Sequence, residues 1–134
     1  MLTIMLATIL LFSSCVKVDK RDDYVGSYRT NWTCIYGGYE FKGTYTLTIT
    51  KSSANESDII LSNISNSNES ARATVNGNAF TIPQQTIFGY GFSGSGTLSG
   101  NVLNFSTQET ESFEDWEGNI FTALVNLSQV ATKQ

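Results

Sequence analysis

The sequence predicts an all-β domain, an antiparallel meander of about eight strands that closes into a barrel. Ser, Thr, Asn and Gly are abundant, whereas helix formers such as Ala, Lys and Glu are sparse outside a few segments. Several segments alternate apolar with polar residues, which is the period of a half-buried strand. Short Gly- and Asn-containing turns separate these segments. A meander of this size closes into a barrel readily, because closure removes the exposed strand edges.

The first two strand candidates follow each other directly. Residues 24–36 carry Tyr, Gly, Trp and Cys at even positions, and Gly37-Gly38 then breaks the pattern. Residues 41–50 give the clearest alternation, with one face apolar and the other rich in Thr. Its apolar face is predicted to carry Phe41, Tyr45, Leu47 and Ile49.

The remaining strands are shorter and are predicted in pairs. Asn76-Gly77 suits a tight hairpin turn, and Pro83 is expected to end the strand after it, because proline cannot donate to a sheet ladder. Residues 109–117 are predicted to be an acidic connection. The predicted segments are 59–61 (extending toward 64), 71–75, 79–82, 90–98, 102–107 and 120–130.

An apolar segment occupies residues 2–15, LTIMLATILLFSSC. It is shorter than the roughly 20 apolar residues that span a bilayer. A short apolar core followed by small residues is typical of a secretory signal. We therefore predict a signal peptide at residues 1–14, a polar tether at 15–23 and one folded domain at 24–134. The alternatives are an ordinary secretory signal in which Cys15 is incidental, or a buried strand.

The composition narrows the possible functions. The chain carries 12 acidic and 8 basic residues and no basic cluster, which argues against nucleic acid as a partner. It has no histidine, the commonest general base and zinc ligand. We expect no metal and no cofactor. Cys34 is the thiol that remains in the folded domain, and its parity with Trp32 predicts a buried, inert side chain.

The end of the apolar segment, Leu11-Phe12-Ser13-Ser14-Cys15, resembles the lipobox of bacterial lipoproteins, with Phe12 where that family usually has Leu. The resemblance implies that the sulfur of Cys15 carries a diacyl group with palmitate-like chains. Several acyl chains together hold a protein stably on a membrane. The implied location is the bacterial cell envelope, most simply the outer membrane, facing the periplasm or the cell surface.

Gly26-Ser27-Tyr28 resembles the Gly-x-Trp opening of lipocalin-like (calycin-like) barrels, with Tyr in place of Trp. The strand GTYTLTIT and the hairpin GSGTLSGN look like those of small lipocalin-like lipoproteins of Gram-negative bacteria. Lipocalins also have an Arg near the last strand that packs against the Trp, and residues 120–130 contain none. The resemblance implies a non-enzymatic barrel that binds a small ligand.

Candidate ligand contacts come from the aromatic residues. Barrels of this size either fill their interior or hold one small ligand, here an apolar molecule or a glycan. The same side chains would fill the core that the domain needs, and the sequence favours that interpretation. Gly94 and Gly96 would either make room for a ligand or let the barrel bend, and we favour the bend. The candidate residues are Tyr28, Trp32, Tyr45, Tyr90 and Phe92.

Phe113 and Trp116 lie within the acidic stretch and are the candidate contacts for an envelope protein partner. They would alternatively fold back as a lid on one barrel end. The acidic residues themselves do not match the spacing of an EF-hand, so a solvated loop is favoured over a calcium site. A protein–protein interaction or inhibitor module is therefore the second functional hypothesis. A hydrolase that uses carboxylates alone is the third.

Overall fold

A closed antiparallel β-barrel of eight strands confirms the predicted fold class. The computed structural model describes residues 16–87 and 89–134, with the backbone only at residues 111 and 113. Each strand pairs with its sequence neighbours, and the last strand pairs with the first. The strands are β1 (Gly26–Tyr36), β2 (Tyr39–Lys51), β3 (Asp58–Ser62), β4 (Ser70–Asn76), β5 (Ala79–Ile87), β6 (Tyr90–Ser99), β7 (Val102–Glu114) and β8 (Ile120–Lys133). Two short 3₁₀ helices, Lys20–Asp23 and Ile64–Asn66, complete the elements.

The predicted alternation of inward and outward residues holds along the strands. In β2, Tyr45, Leu47 and Ile49 are buried, while the intervening Thr residues are exposed. Phe41 shares their face but is half exposed, because it lies near the end of the barrel. Tyr24 and Phe80 meet edge to face with ring centroids 5.9 Å apart, inside the main core. The interior is therefore packed tightly over part of its length and less tightly at one end.

The two ends of the barrel differ. We call the end that carries the N-terminal 3₁₀ helix the closed end and the opposite end the mouth. The connections β2–β3, β4–β5 and β6–β7 lie at the closed end, and β1–β2, β3–β4, β5–β6 and β7–β8 lie at the mouth. The second 3₁₀ helix, Ile64–Asn66, belongs to the β3–β4 connection. The mouth thus carries four connections, one of them with a 3₁₀ helix, and the closed end carries three together with the N-terminal 3₁₀ helix.

Arg21 fixes the N-terminal helix to the closed end. Its Nη1 donates to the carbonyl oxygens of Ser52, Asn55 and Asp58, at 3.1, 2.9 and 3.3 Å. The Arg21 side chain also holds the carboxylate of Asp19, which lowers the pKa of Asp19 from 3.8 to about 2. The segment that the sequence assigns to a tether through residue 23 therefore folds onto the barrel from Lys20–Asp23 onward. The predicted signal peptide and Cys15 lie outside the described residues.

A cation lies over the ring of Tyr28. Lys133 pairs with Tyr28 across β1 and β8, and its Nζ is 5.5 Å from the ring centroid. The same Nζ donates to the Asp23 carbonyl oxygen at 2.9 Å, and the Tyr28 hydroxyl donates to the Tyr24 carbonyl oxygen at 2.7 Å. Strand β8 runs three residues beyond its predicted end at Val130. The last of these residues, Lys133, contacts both strand β1 and the N-terminal 3₁₀ helix at the closed end.

Strand β5 continues through Pro83 to Ile87, so the prediction that Pro83 ends this strand is wrong. The β5–β6 register shifts between Ile82 and Gln85, and a proline is tolerated at such a bulge. The side chain of Gln85 accepts from the Arg72 backbone N–H at 3.0 Å and donates to its carbonyl oxygen at 2.9 Å. A side-chain amide thereby replaces ladder contacts that β4 and β5 lack at this point.

Strand β7 is also longer than predicted, since it runs from Val102 to Glu114. The acidic residues 109–114 belong to this strand and pair with β8, so the predicted connection at 109–117 is wrong over most of its length. The turn is reduced to residues 115–119. A long two-stranded hairpin results, which reaches past the last β6–β7 pair, Phe92 with Glu109.

Gly94 and Gly96 allow close packing. A Cβ at Gly96 would overlap the Phe105 side chain and lie 2.5 Å from the Asn104 carbonyl oxygen and 2.8 Å from Cζ of Phe80. The space beside Gly96 is therefore filled by core side chains and leaves no room for a ligand.

We predict that Gly96→Ala destabilises the barrel by about 1–3 kcal/mol, because an added methyl group overpacks a filled core. Urea unfolding followed by tryptophan fluorescence measures the loss. Gly91→Ala is the matched control, since its Cβ would lie 2.9 Å from the end of the flexible Gln84 side chain and at an ordinary contact distance, 3.8 Å, from Oγ1 of Thr110. Equal losses in the two variants would contradict this account of Gly96.

Candidate functional site

A cavity opens at the point where β1 and β8 stop pairing. Their ladder runs from Tyr28 with Lys133 to Cys34 with Leu127, although both strands continue beyond it. The β1–β2 and β7–β8 hairpins are no longer joined to each other there. The cavity has a volume of about 280 Å³. Its lining residues are Trp32, Cys34, Tyr36, Phe41, Ser65, Glu109, Val125 and Leu127. We call it the apolar cavity.

The walls of the apolar cavity follow from strand alternation. Trp32, Cys34 and Tyr36 occupy alternate positions of β1 and therefore share its inward face. Trp32 pairs with Gly43 on β2, and a Cβ at Gly43 would lie 2.7 Å from the indole Nε1. Gly43 thus leaves the space that the indole occupies. Cys34 is buried, and its pairing with Leu127 places it at the last rung of the β1–β8 ladder.

A second cavity, of about 480 Å³, lies beside the first. It is lined by Ile64, Ser65, Ser67, Ile87, Tyr90, Gly91, Phe92, Glu109 and Thr110. Ser65 and Glu109 line both cavities. These two residues therefore form the shared wall at the mouth of the barrel.

Ser65 reaches Glu109 from an unusual backbone conformation. Its φ is 53°, in the left-handed region that residues other than Gly and Asn rarely adopt. Asn63, Asn66 and Asn68 in the same connection also have positive φ values. The Ser65 hydroxyl donates to Oε1 of Glu109. Backbone strain is commonly found at binding sites, and here it accompanies a contact with a buried acid.

A chain of hydrogen bonds crosses the barrel beneath the cavities. The Tyr45 hydroxyl donates to Oε1 of Gln129 at 2.5 Å, and Nε2 of Gln129 donates to Oγ1 of Thr107 at 2.8 Å. Thr107 Oγ1 donates in turn to Oε1 of Glu109 at 2.8 Å. Burial raises the pKa of Tyr45, so its hydroxyl stays protonated and remains a donor. Every bond in this chain points toward the Glu109 carboxylate.

The five predicted ligand contacts are distributed over four places. Trp32 lines the apolar cavity, and Tyr90 and Phe92 line the second cavity. Tyr45 begins the hydrogen-bond chain, and Tyr28 is packed in the main core toward the closed end. The mouth therefore combines three of the five aromatic residues.

Sequence reasoning missed Glu109, Ser65 and Gln129 as residues of the site. The sequence predicts a solvated acidic connection at Glu109, yet only 7% of this residue is exposed. Its parity with Phe105 and Thr107 is the signal that could have placed it inside, because both are inward residues of β7. No comparable pattern identifies Ser65, which lies outside the strands.

Trp116 lies on the outside of the mouth. It is 91% exposed, so its indole does not fold back over the barrel end. The turn that carries it is ordered by Asp115, whose carboxylate accepts from the backbone N–H groups of Glu117 and Asn119 at 2.9 and 2.8 Å. Hydrogen bonding to Asn119 lowers the pKa of Asp115. The side chain of Phe113, the other predicted partner contact, is not among the side chains that the structure describes.

The described residues contain no group of three or more His, Cys, Asp or Glu side chains placed to hold a metal ion. Neither 3₁₀ helix in that part of the chain is long or apolar enough to cross a membrane. No protein-family model, curated protein or solved structure matches the chain.

The hydrogen-bond chain gives a direct test. We predict that Tyr45→Phe destabilises the protein by about 1–3 kcal/mol, because the buried Oε1 of Gln129 loses its donor. Urea unfolding of the purified protein measures this loss. Tyr90→Phe is the matched control, because the Tyr90 hydroxyl accepts from Ser112 at an exposed position and its removal should cost about 0.5 kcal/mol or less. A Tyr45→Phe variant that is as stable as the wild type would show that this chain of hydrogen bonds does not stabilise the barrel.

Proposed function

We propose that this protein is a lipid-anchored, non-enzymatic protein of the bacterial cell envelope that binds a small apolar molecule or glycan in the mouth of its barrel. The observation that carries the proposal is the pair of cavities at the mouth, above the packed core of the barrel. Binding sites of small ligands are typically concave and apolar, with a few convergent polar groups. Glu109 and Ser65 supply those polar groups here.

Membership of the lipocalin-like barrels is part of the same proposal. The closed eight-strand meander supports it, and so does the contact of Lys133 with Tyr28. A lipocalin has an Arg against a Trp near the last strand, and this chain places a Lys against a Tyr at the end of β8. The substitution keeps an aromatic ring beneath a cation, which is a favourable electrostatic contact.

Acylation of Cys15 would set the direction in which the barrel faces. The chain enters the barrel through the N-terminal 3₁₀ helix, which Arg21 fixes to the closed end. Only the residues between Cys15 and Lys20 separate the proposed anchor from that helix. The closed end would therefore face the membrane, and the mouth would open away from it. A ligand would then arrive from the aqueous side of the envelope.

The chemistry of the mouth favours binding over catalysis. A glycosidase needs two carboxylates flanking the bond that it cleaves. Glu109 is the one carboxylate among the described residues that line the two cavities. The chain also contains no histidine to serve as a general base. These observations support a non-enzymatic role, and we propose no reaction.

A second candidate function is contact with an envelope protein. Exposed apolar side chains surround the mouth and the β7–β8 hairpin, and such surfaces often bind other proteins. Trp116 is the most exposed of them and is presented by a turn that Asp115 orders. The others at this end are Ile35, Tyr39, Phe41, Tyr90, Ile120, Phe121 and Leu124.

Blocking the apolar cavity tests the leading proposal. The neutral fluorescent probe N-phenyl-1-naphthylamine should bind residues 16–134 saturably. Val125→Trp should weaken that binding by about tenfold or more, because the new ring fills the cavity. Leu124→Trp is the matched control on the exposed face of the same strand and should leave the affinity unchanged. Binding that survives Val125→Trp would place the probe elsewhere and contradict the proposed site.

The anchor is tested separately. In a Gram-negative host, the full chain should take up a palmitate analogue and fractionate with the membrane. Cys15→Ser should abolish both properties, because the acylated atom is the cysteine sulfur, whereas Cys34→Ser should leave both unchanged. Acylation that persists in Cys15→Ser, or a wild-type chain released in soluble form, would contradict the proposed anchor.

A further inference from the structure

The carboxylate of Glu109 is buried at the mouth of the barrel. A carboxylate is rarely buried unless it is hydrogen-bonded or paired. Only 7% of Glu109 is exposed, and it lines both cavities of the mouth. The remainder of the apolar cavity offers a ligand mainly aromatic and aliphatic surface. Glu109 is therefore placed where it would meet the polar end of a bound molecule.

The surrounding hydrogen bonds make Glu109 an acceptor. Thr107 and Ser65 both donate to its Oε1. The bonds behind Thr107 run in the same sense, from Tyr45 through Gln129. Hydrogen bonds donated to a carboxylate stabilise its charged form. The arrangement suits a ligand that brings a donor or a positive charge, and it disfavours a ligand carboxylate or phosphate.

The charge of the mouth points to the same ligand. The strand ends and connections of the mouth fall within residues 32–43, 62–70, 85–92 and 109–125. These ranges contain seven acidic residues and a single basic residue, Lys42. The acidic residues are Glu40, Glu69, Glu109, Glu111, Glu114, Asp115 and Glu117. A mouth of this composition attracts cations and repels anions as they approach.

The size of the site limits the apolar part of the ligand. The apolar cavity has a volume of about 280 Å³, close to the lower end of the range for small-molecule pockets, about 300–1,000 Å³. Beneath it lie the hydrogen-bond chain from Tyr45 to Glu109 and then the packed core around Phe80 and Phe105. A single ring or a short alkyl chain suits this space better than a long acyl chain does.

We infer that the mouth binds a small aryl- or alkylammonium compound, with its apolar group in the apolar cavity and its ammonium group at the carboxylate of Glu109. This inference rests on the proposed function and names the ligand class for the same site. Trp32 would pack against the apolar group, since its indole lines that cavity. A charge-assisted hydrogen bond to Glu109 would then distinguish the amine from neutral and anionic analogues of the same shape.

The test compares three probes of similar shape, namely 2-phenylethylammonium, 2-phenylethanol and 3-phenylpropanoate. The chain is used as purified from its host, in lipid nanodiscs if it is acylated, and isothermal titration calorimetry measures affinity against protein-free preparations. The wild type should bind the ammonium probe about tenfold more tightly than the alcohol, the difference that one charge-assisted hydrogen bond supplies. The carboxylate probe should bind more weakly than either.

Glu109→Gln keeps the size of the side chain and an oxygen that can accept from Thr107 and Ser65. It should weaken binding of the ammonium probe about tenfold and change binding of the alcohol by less than about twofold. Glu56→Gln is the matched control, because it removes one charge from an exposed side chain in the β2–β3 connection at the closed end. It should leave the affinities for all three probes unchanged.

The outcomes separate this inference from the proposed function. If the wild type binds the alcohol as tightly as the ammonium probe, the inference about Glu109 fails, while the cavity remains a binding site. If Glu109→Gln folds and keeps the preference for the ammonium probe, the inference fails in the same way. If none of the three probes binds, both the inference and the proposed apolar site fail. If Glu109→Gln does not fold, a wild type that shows no preference for the ammonium probe still contradicts the inference.

Discussion

The pairing of β1 with β8 is the constraint on which the rest of the structure depends. It closes the sheet and so separates an inside from an outside for every strand. At the closed end it brings Lys133 over Tyr28 and onto the Asp23 carbonyl oxygen, which links closure to the N-terminal helix. At the other end the pairing stops at Cys34 and Leu127, and the apolar cavity begins there. One ladder thus determines both the packed core and the open mouth.

The interior changes in character from the closed end to the mouth. The lower part is an apolar core in which Tyr24, Phe80 and Phe105 interlock. The hydrogen-bond chain from Tyr45 to Glu109 follows, and the two cavities lie above it. A buried polar chain is favourable only when its members are satisfied, and here each bond supports the next. This chain lets an acid lie at the floor of an otherwise apolar site.

Much of the fold could be predicted from the sequence, because period-two alternation is a local property of the chain. Strand β2 shows this most clearly, with Thr outside and Leu47 and Ile49 inside. The departures arise from contacts between distant residues. Pro83 remains within β5 at a register shift, where the Gln85 side chain bonds to Arg72 on the neighbouring strand. Glu109 is buried because Ser65 and Thr107 donate to it. No local pattern encodes those pairings, so the prediction placed Glu109 in solvent.

The central claim is that the mouth of this barrel is a binding site and that the filled interior below it is structural. Native mass spectrometry of the chain, extracted gently from the cells that make it, tests this claim most directly. We expect an additional small-molecule mass that is lost on denaturation and is absent from a variant with Val125→Trp in the mouth. A wild-type protein of bare mass, unchanged across panels of amines, apolar compounds and sugars, would contradict the account and leave the exposed surface around Trp116 as the functional region.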